Sequence, residues 1–243
     1  AGPGSSFVTF ERIDAGNVGT WFARDVTVLG GDYGPCRAPA PANSCDLTRI
    51  DVSDNVLIDG ALFHDYNYMP ACVQAANCHW RSMFVNGPRG FTLRNSTFRN
   101  SVFAPWTSIS GPDAGARGVQ DVLIENNQFG TPVQSPIIAG WEFAWCTNGS
   151  QPAYRNVTLR FNSFARGTHL HVSGWHEGDF ACRTQNYQVY GNIFGSKPPC
   201  PSNSVGVQWS YNVYAGLVAG TCGPGDRTHG LVIPECASSR SSG

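Results

Sequence analysis

The segments Gly140-Trp141-Glu142-Phe143-Ala144-Trp145-Cys146 and Gly174-Trp175-His176-Glu177-Gly178-Asp179-Phe180-Ala181-Cys182 share an outline, a Gly-Trp opening and a closing cysteine. Together they hold Trp141, Trp145, Trp175, Glu142, His176, Glu177 and Asp179. Flat indole faces cover apolar C–H surface while carboxylates accept hydroxyl hydrogen bonds, the combination that suits a sugar. Glu142 with Glu177 or Asp179 offers two carboxyls for general-acid and general-base work on a glycosidic bond. The plainer reading is that the tryptophans cover a core beneath a disulfide-tied loop and the carboxylates face solvent. A second group, His64 and Asp65 with His79 and Arg81, joins a base to a cation, as elimination beside a uronate carboxylate requires. His169 and His171 flank Leu170 on an expected strand with Leu170 inward, so both imidazoles would project outward. Such a pair holds a metal only with a third ligand from a neighbouring element; no metal and no cofactor is assigned.

What must position these groups is a repeat. One phrase recurs as Val26-Thr27-Val28, Val56-Leu57-Ile58, Phe91-Thr92-Leu93, Val122-Leu123-Ile124, Val157-Thr158-Leu159, Tyr187-Gln188-Val189 and Val207-Gln208-Trp209. An aromatic follows each at a fixed offset: Tyr33, Phe63, Phe98, Phe129, Phe164, Phe194 and Tyr214. Successive starts lie 30, 35, 31, 35, 30 and 20 residues apart, too irregular for a helical-repeat array but suited to fixed strands joined by variable loops. Apolar residues alternate at period two within each phrase, so each predicts a short strand with one face inward. No such strand makes a core alone; stacked in parallel about 4.8 Å apart, they bury their alternate residues as columns. Asn127, Asn162, Asn192 and Asn212 share one position, where an amide can donate to one neighbour and accept from the next. Asp59, Arg94, Glu125 and Arg160 fall in an outward row of alternating sign, read as a structural charge ladder rather than a groove for a polyanion.

The phrases Asn-Val-Thr-Leu-Arg-Phe-Asn-Ser-Phe (156–164), Asp-Val-Leu-Ile-Glu-Asn-Asn-Gln-Phe (121–129) and Asn-Tyr-Gln-Val-Tyr-Gly-Asn-Ile-Phe (186–194) resemble coils of right-handed parallel β-helix proteins of the pectate-lyase-like superfamily. The resemblance covers roughly Phe7 to Gly216. It implies an all-β, right-handed parallel β-helix. The superfamily includes polysaccharide lyases, glycoside hydrolases, tailspikes and adhesins, so the fold alone does not choose among them. The chain lacks the Asn-Thr-Asp, Asp-Asp and Gly-His-Gly set of polygalacturonase-type hydrolases. Within that range, the loop residues and the cysteines lead to the expectation of an extracellular carbohydrate-active protein that binds a polysaccharide, with lyase or hydrolase cleavage as an additional option, the alternative being a non-catalytic structural or adhesive solenoid of the cell surface.

Composition agrees with this class. The 243 residues carry a net charge of −1 and only 14% charged residues, which argues against a basic nucleic-acid binder and an acidic disordered chain. No run approaches the roughly 18 apolar residues of a membrane span. Nine cysteines suit an oxidising, extracellular compartment. The expected pairs are Cys36 with Cys45, Cys72 with Cys78, Cys146 with Cys182 and Cys200 with Cys222, leaving Cys236 over. Loops converging on one face mark the place for a site: 32–54, 65–80, 106–120, 141–156, 174–186 and 196–206. The expectation is one β-helix domain over 7–236, a monomer, with loose ends at 1–6 and 237–243.

Overall fold

A computed structural model of the protein describes residues 1–16, 18–35, 44–65, 79–99, 103–106, 118–130, 140–142, 152–165, 169–171, 183–195, 206–215 and 222–229. For 44–47, 79–82, 103–106, 140–142, 152–153, 169–171, 183 and 229 it describes the backbone alone. The chain winds through three faces and repeats. The first coil is β1 (Ser6–Glu11), β2 (Asp14–Ala15) and β3 (Val18–Trp21); the second is β4 (Arg24–Leu29), β5 (Asp32–Tyr33) and β6 (Ser44–Asp51). The third is β7 (Asp54–Asp59), β8 (Leu62–His64) and β9 (His79–Asn86), and the fourth β10 (Arg89–Arg94), β11 (Thr97–Arg99) and β12 (Phe103–Trp106). Then come β13 (Val119–Glu125), β14 (Gln128–Phe129) and β15 (Gly140–Glu142), followed by β16 (Pro152–Arg160), β17 (Ser163–Phe164) and β18 (His169–His171). The last described strands are β19 (Arg183–Tyr190), β20 (Ile193–Phe194), β21 (Val207–Ser210), β22 (Val213–Ala215) and β23 (Arg227–His229).

The first strand of every coil joins one eight-stranded sheet in the order β1-β4-β7-β10-β13-β16-β19-β21, and the second joins a nine-stranded sheet that ends on β23. The third face pairs β12-β9-β6-β3, with β15 paired to β18 beyond it. Every pairing is parallel, so the architecture is an all-β parallel β-helix. All the repeated phrases stand in register: Val26, Val56, Phe91, Val122, Val157, Tyr187 and Val207 are successive partners. Their inward members, among them Ile58, Leu93, Ile124, Leu159 and Val189, are buried in one cluster.

Two columns inside the coil hold the stack. The rings of Tyr33, Phe63, Phe98, Phe129, Phe164, Phe194 and Tyr214 lie on one another with centroids 4.7 to 5.5 Å apart. Each such contact contributes about 0.5–1.5 kcal/mol beyond the area it buries. The asparagine column is continuous. Asn127 Nδ2 donates to Asn162 Oδ1 (3.0 Å), Asn162 Nδ2 to Asn192 Oδ1 (3.0 Å) and Asn192 Nδ2 to Asn212 Oδ1 (3.1 Å). The same Oδ1 atoms accept the backbone N–H of Asn127, Asn162 and Asn192. Each amide also reaches back to a carbonyl of the preceding coil, Leu93, Ile124, Leu159 and Val189. The buried amides of this column are thus satisfied by protein groups alone.

The turn between the first two faces has a left-handed residue in every coil, including Arg12, Gly30, Gly60, Asn95, Asn126, Phe161, Gly191 and Tyr211. Its N–H donates to the next coil, as in Gly30 to Asp59 (2.7 Å) and Asn126 to Arg160 (3.2 Å). Glycine and asparagine suit this conformation. A second left-handed row lies within the first strand of the coils, and there Asn55 donates to Asp25, Asn156 to Asp121 and Asn186 to Asn156.

The structure departs from the sequence-based expectations at the excursions and at the N-terminus. The stretch 32–54, read as one excursion, contains β5 and the third-face strand β6, while 141–156 opens within β15 and closes within β16. Residues 1–6, read as a loose end, fold across the first coil. Trp21 N–H donates to the Ala1 carbonyl (2.9 Å), Arg24 N–H donates to the Ser5 carbonyl (3.1 Å), and Ala1 packs against the core. These bonds satisfy strand-end N–H groups that would otherwise need water. Residues 237–243 lie outside the described residues.

Candidate functional site

Immediately after the aromatic column comes a row whose first four positions are Gly34, His64, Arg99 and Gly130, with His64 and Arg99 register partners on β8 and β11. Glycine brackets these two side chains on both sides. The His64 ring is held between two carboxylates. Its Nε2 lies 2.6 Å from Asp32 Oδ1, on the preceding coil, and its Nδ1 lies 2.9 Å from Asp65 Oδ2. Gly34 makes this crossing possible, because a Cβ there would overlap the His64 carbonyl oxygen and sit 3.1 Å from ring Cδ2. Asp32 N–H in turn donates to Asp14 Oδ1 (3.2 Å), so a third carboxylate stands behind the first. Burial, followed by the charge of Asp14, raises the Tyr33 hydroxyl above its ordinary pKa and keeps it neutral beneath this cluster.

The ring side of His64 is partly covered while Asp32 and Asp65 stay half exposed, which leaves carboxylate oxygens reachable from solvent. Arg99 is exposed beside them. The cluster therefore offers acceptors for hydroxyl groups and a planar cation for a carboxylate. Because both imidazole nitrogens already face carboxylates, His64 can act as a base only after one of them moves away.

The cation beside His64 was expected to be Arg81. The structure instead sets Arg99 there, and carries His79 and Arg81 on β9 of the third face, in register with Ser44 and Asp46 of β6. Arg99 had a sequence signal: it follows Phe98 as His64 follows Phe63. Trp141 and Glu142 stand on β15, in register with Leu170 and His171 of β18. Trp141 is thus matched with Leu170 rather than with Trp175, and Glu142 shares a rung with His171. Trp145, Trp175, His176, Glu177 and Asp179 lie outside the described residues, as does at least one cysteine of each expected pair. His169 and His171 form a strand, as expected. Among the described residues no group of three or more His, Cys, Asp or Glu side chains is arranged to hold a metal.

A third-face cluster was not anticipated. Trp21, Asp51 and Asn86 share a row, Asp51 accepts from Arg49 Nε and from Asn86 Nδ2 (3.2 Å), and the Arg49 guanidinium lies 5.4 Å from the Phe84 ring centre. Arg49 and Asn86 already occupy both Asp51 oxygens, which makes this a brace. The outward charge row is likewise structural. Arg94 pairs back to Asp59 (2.8 Å) and Arg160 to Glu125 (2.6 Å), each cation reaching one coil back. Arg160 also donates to the Tyr190 hydroxyl (3.2 Å).

No helix among the described residues is long and apolar enough to cross a membrane. The chain matches no protein-family model, no curated protein and no solved structure.

Proposed function

We propose that this is an extracellular β-helix protein, of the pectate-lyase-like kind, that binds an acidic polysaccharide along the row Gly34–His64–Arg99–Gly130. The observation that supports the reading most is the Asp32–His64–Asp65 set with Arg99 on the next rung. The Arg99 fork suits a uronate carboxylate, and Asp32 and Asp65 suit the flanking hydroxyls. The nine cysteines support secretion and disulfide ties, and the protein is taken to act as a monomer. Cleavage is a further step. In elimination, His64, parted from one of its carboxylates, takes the proton beside the uronate carboxylate that Arg99 neutralises, the C–O bond to the leaving sugar breaks and water protonates the leaving oxygen; in hydrolysis, Glu142 with Glu177 or Asp179 supplies the acid and the base that activates water.

Affinity electrophoresis in gels containing polygalacturonate, alginate or xylan tests binding, and absorbance of unsaturated products with reducing-sugar release tests cleavage. The expected result is retardation by the acidic polymers, weakened about tenfold or more by Arg99→Ala. Migration unaffected by every polymer would overturn the proposal. That result would favour the competing reading, a non-catalytic structural or adhesive solenoid, which draws on the engagement of both His64 ring nitrogens.

A further inference from the structure

The left-handed turn between the first two faces is filled by glycine or asparagine in most coils, but Phe161 and Tyr211 occupy it two coils apart. Both placements are unfavourable twice over. A bulky side chain strains the backbone at φ values of 56° and 55°, and the rings gain little burial in return, being 55% and 70% exposed. The coil that follows each ring places glycine at the same turn. A Cβ on Gly191 would lie 2.7 Å from Phe161 Cε1 and 2.8 Å from Cδ1, and a Cβ on Gly225 would overlap the Tyr211 ring. Each aromatic is therefore laid down against a bare backbone, and its far side is left to solvent.

The two rings share one turn position on alternate rungs, so they repeat about every 9.6 Å along the axis, twice the spacing of neighbouring strands. Tyr190 meets Phe161 edge-on at 5.7 Å, Ile193 at the start of β20 is exposed, and the Arg160 guanidinium 5.8 Å from the Phe161 ring is already paired with Glu125. The surface thus combines apolar faces with hydroxyl partners and no surplus charge. We infer that Phe161 and Tyr211 form a stacking platform for a neutral, extended, β-1,4-linked polysaccharide running along the helix axis. Two rings two rungs apart match alternate sugar units of a straight chain, and the sugars' C–H faces cover the exposed rings while their hydroxyls meet Tyr190. This platform lies at a different turn and in later coils than His64 and Arg99, and it does not depend on them.

Titration calorimetry with cellohexaose, xylohexaose and, as a curved control, maltohexaose tests the platform on the full chain. Phe161→Asn and Tyr211→Asn are the variants of choice, since Asn95 and Asn126 already hold this turn in other coils. The expected result is binding of cellohexaose or xylohexaose but not maltohexaose. Each substitution should weaken it about tenfold, the double variant should abolish it, and the thermal midpoint should stay level or rise. Arg99→Ala leaves this binding intact, which separates it from the acidic site. Absence of binding to either straight hexamer, or binding that survives the double substitution, overturns the inference. So does sedimentation showing a dimer that the double substitution dissociates, because the rings would then be covered by a second copy.

Discussion

Asp226 terminates the asparagine column by accepting from Asn212 twice, from its backbone N–H at 2.8 Å and from its side-chain Nδ2 at 3.3 Å. Its other oxygen accepts from the Tyr214 hydroxyl (2.9 Å) and from the N–H groups of Cys222 and Gly223 (3.1 and 2.9 Å). A carboxylate, unlike an amide, needs no acceptor beyond itself, so it can end a ladder of donors. Burial, then the hydrogen bond and charge of Asp226, raise the Tyr214 pKa far above its ordinary value.

Replacing this cap should loosen the last coils first. Asp226→Ala leaves the buried amide of Asn212 and the Tyr214 hydroxyl without their acceptor, at a cost of about 2–4 kcal/mol. Hydrogen exchange should quicken in 206–215 before it changes in β7 or β10, and the urea midpoint should fall. Equal acceleration throughout the stack would mean that Asp226 does not act as a local cap.

An interior rung should be more sensitive to chemistry than to volume. Asn162→Leu fills much the same space but removes the acceptor of the Asn127 backbone and side-chain N–H groups. A loss of about 2 kcal/mol or more is expected in urea denaturation, against a near-neutral outcome if shape alone mattered.

The Asp59–Arg94 pair should shape the acid limb of stability. Partial burial pushes the Asp59 carboxyl up, but hydrogen bonds from Asn95 and Arg94 and the Arg94 charge outweigh it and hold the pKa below its ordinary value. The folded state therefore favours the ionised form. That contribution is complete above the unfolded carboxylate pKa and is lost as pH falls through the lower folded value. Asp59→Asn should cost up to about 1 kcal/mol at neutral pH, and the difference from the parent protein should shrink with acidification.

Gly34→Ala should separate the His64 cluster from the fold. Its methyl group would displace His64 from Asp32, so binding of polygalacturonate should fall to the level of an Arg99→Ala variant. The aromatic column beneath should persist, read as unchanged near-ultraviolet circular dichroism.

The parallel stack was legible in the sequence because its first two faces repeat at short, fixed offsets. The distance from Val56 to Phe63 equals that from Phe91 to Phe98, and no insertion interrupts it. The asparagine column and the Asp59–Arg94 and Glu125–Arg160 pairs could be read the same way. The end of the stack was not legible, because the last rung has Asp226, just before β23, in place of asparagine and Thr228 in place of the aromatic, and so breaks both signatures while keeping the register. The third face escaped for a different reason. The number of residues that precedes β6, β9 and β15 within a coil varies, so no fixed offset links Asp51 to Asn86 or Glu142 to His171.

Residue types alone settled what each rung contains, because burial at period two and stacking at constant offset are local rules. Which polar groups meet across coils was settled only by the tertiary structure. The partnership of His64 with Asp32 and its neighbourhood with Arg99 rather than Arg81 depend on where each loop returns the chain to the next rung, and return points are set by packing rather than by any short-range pattern.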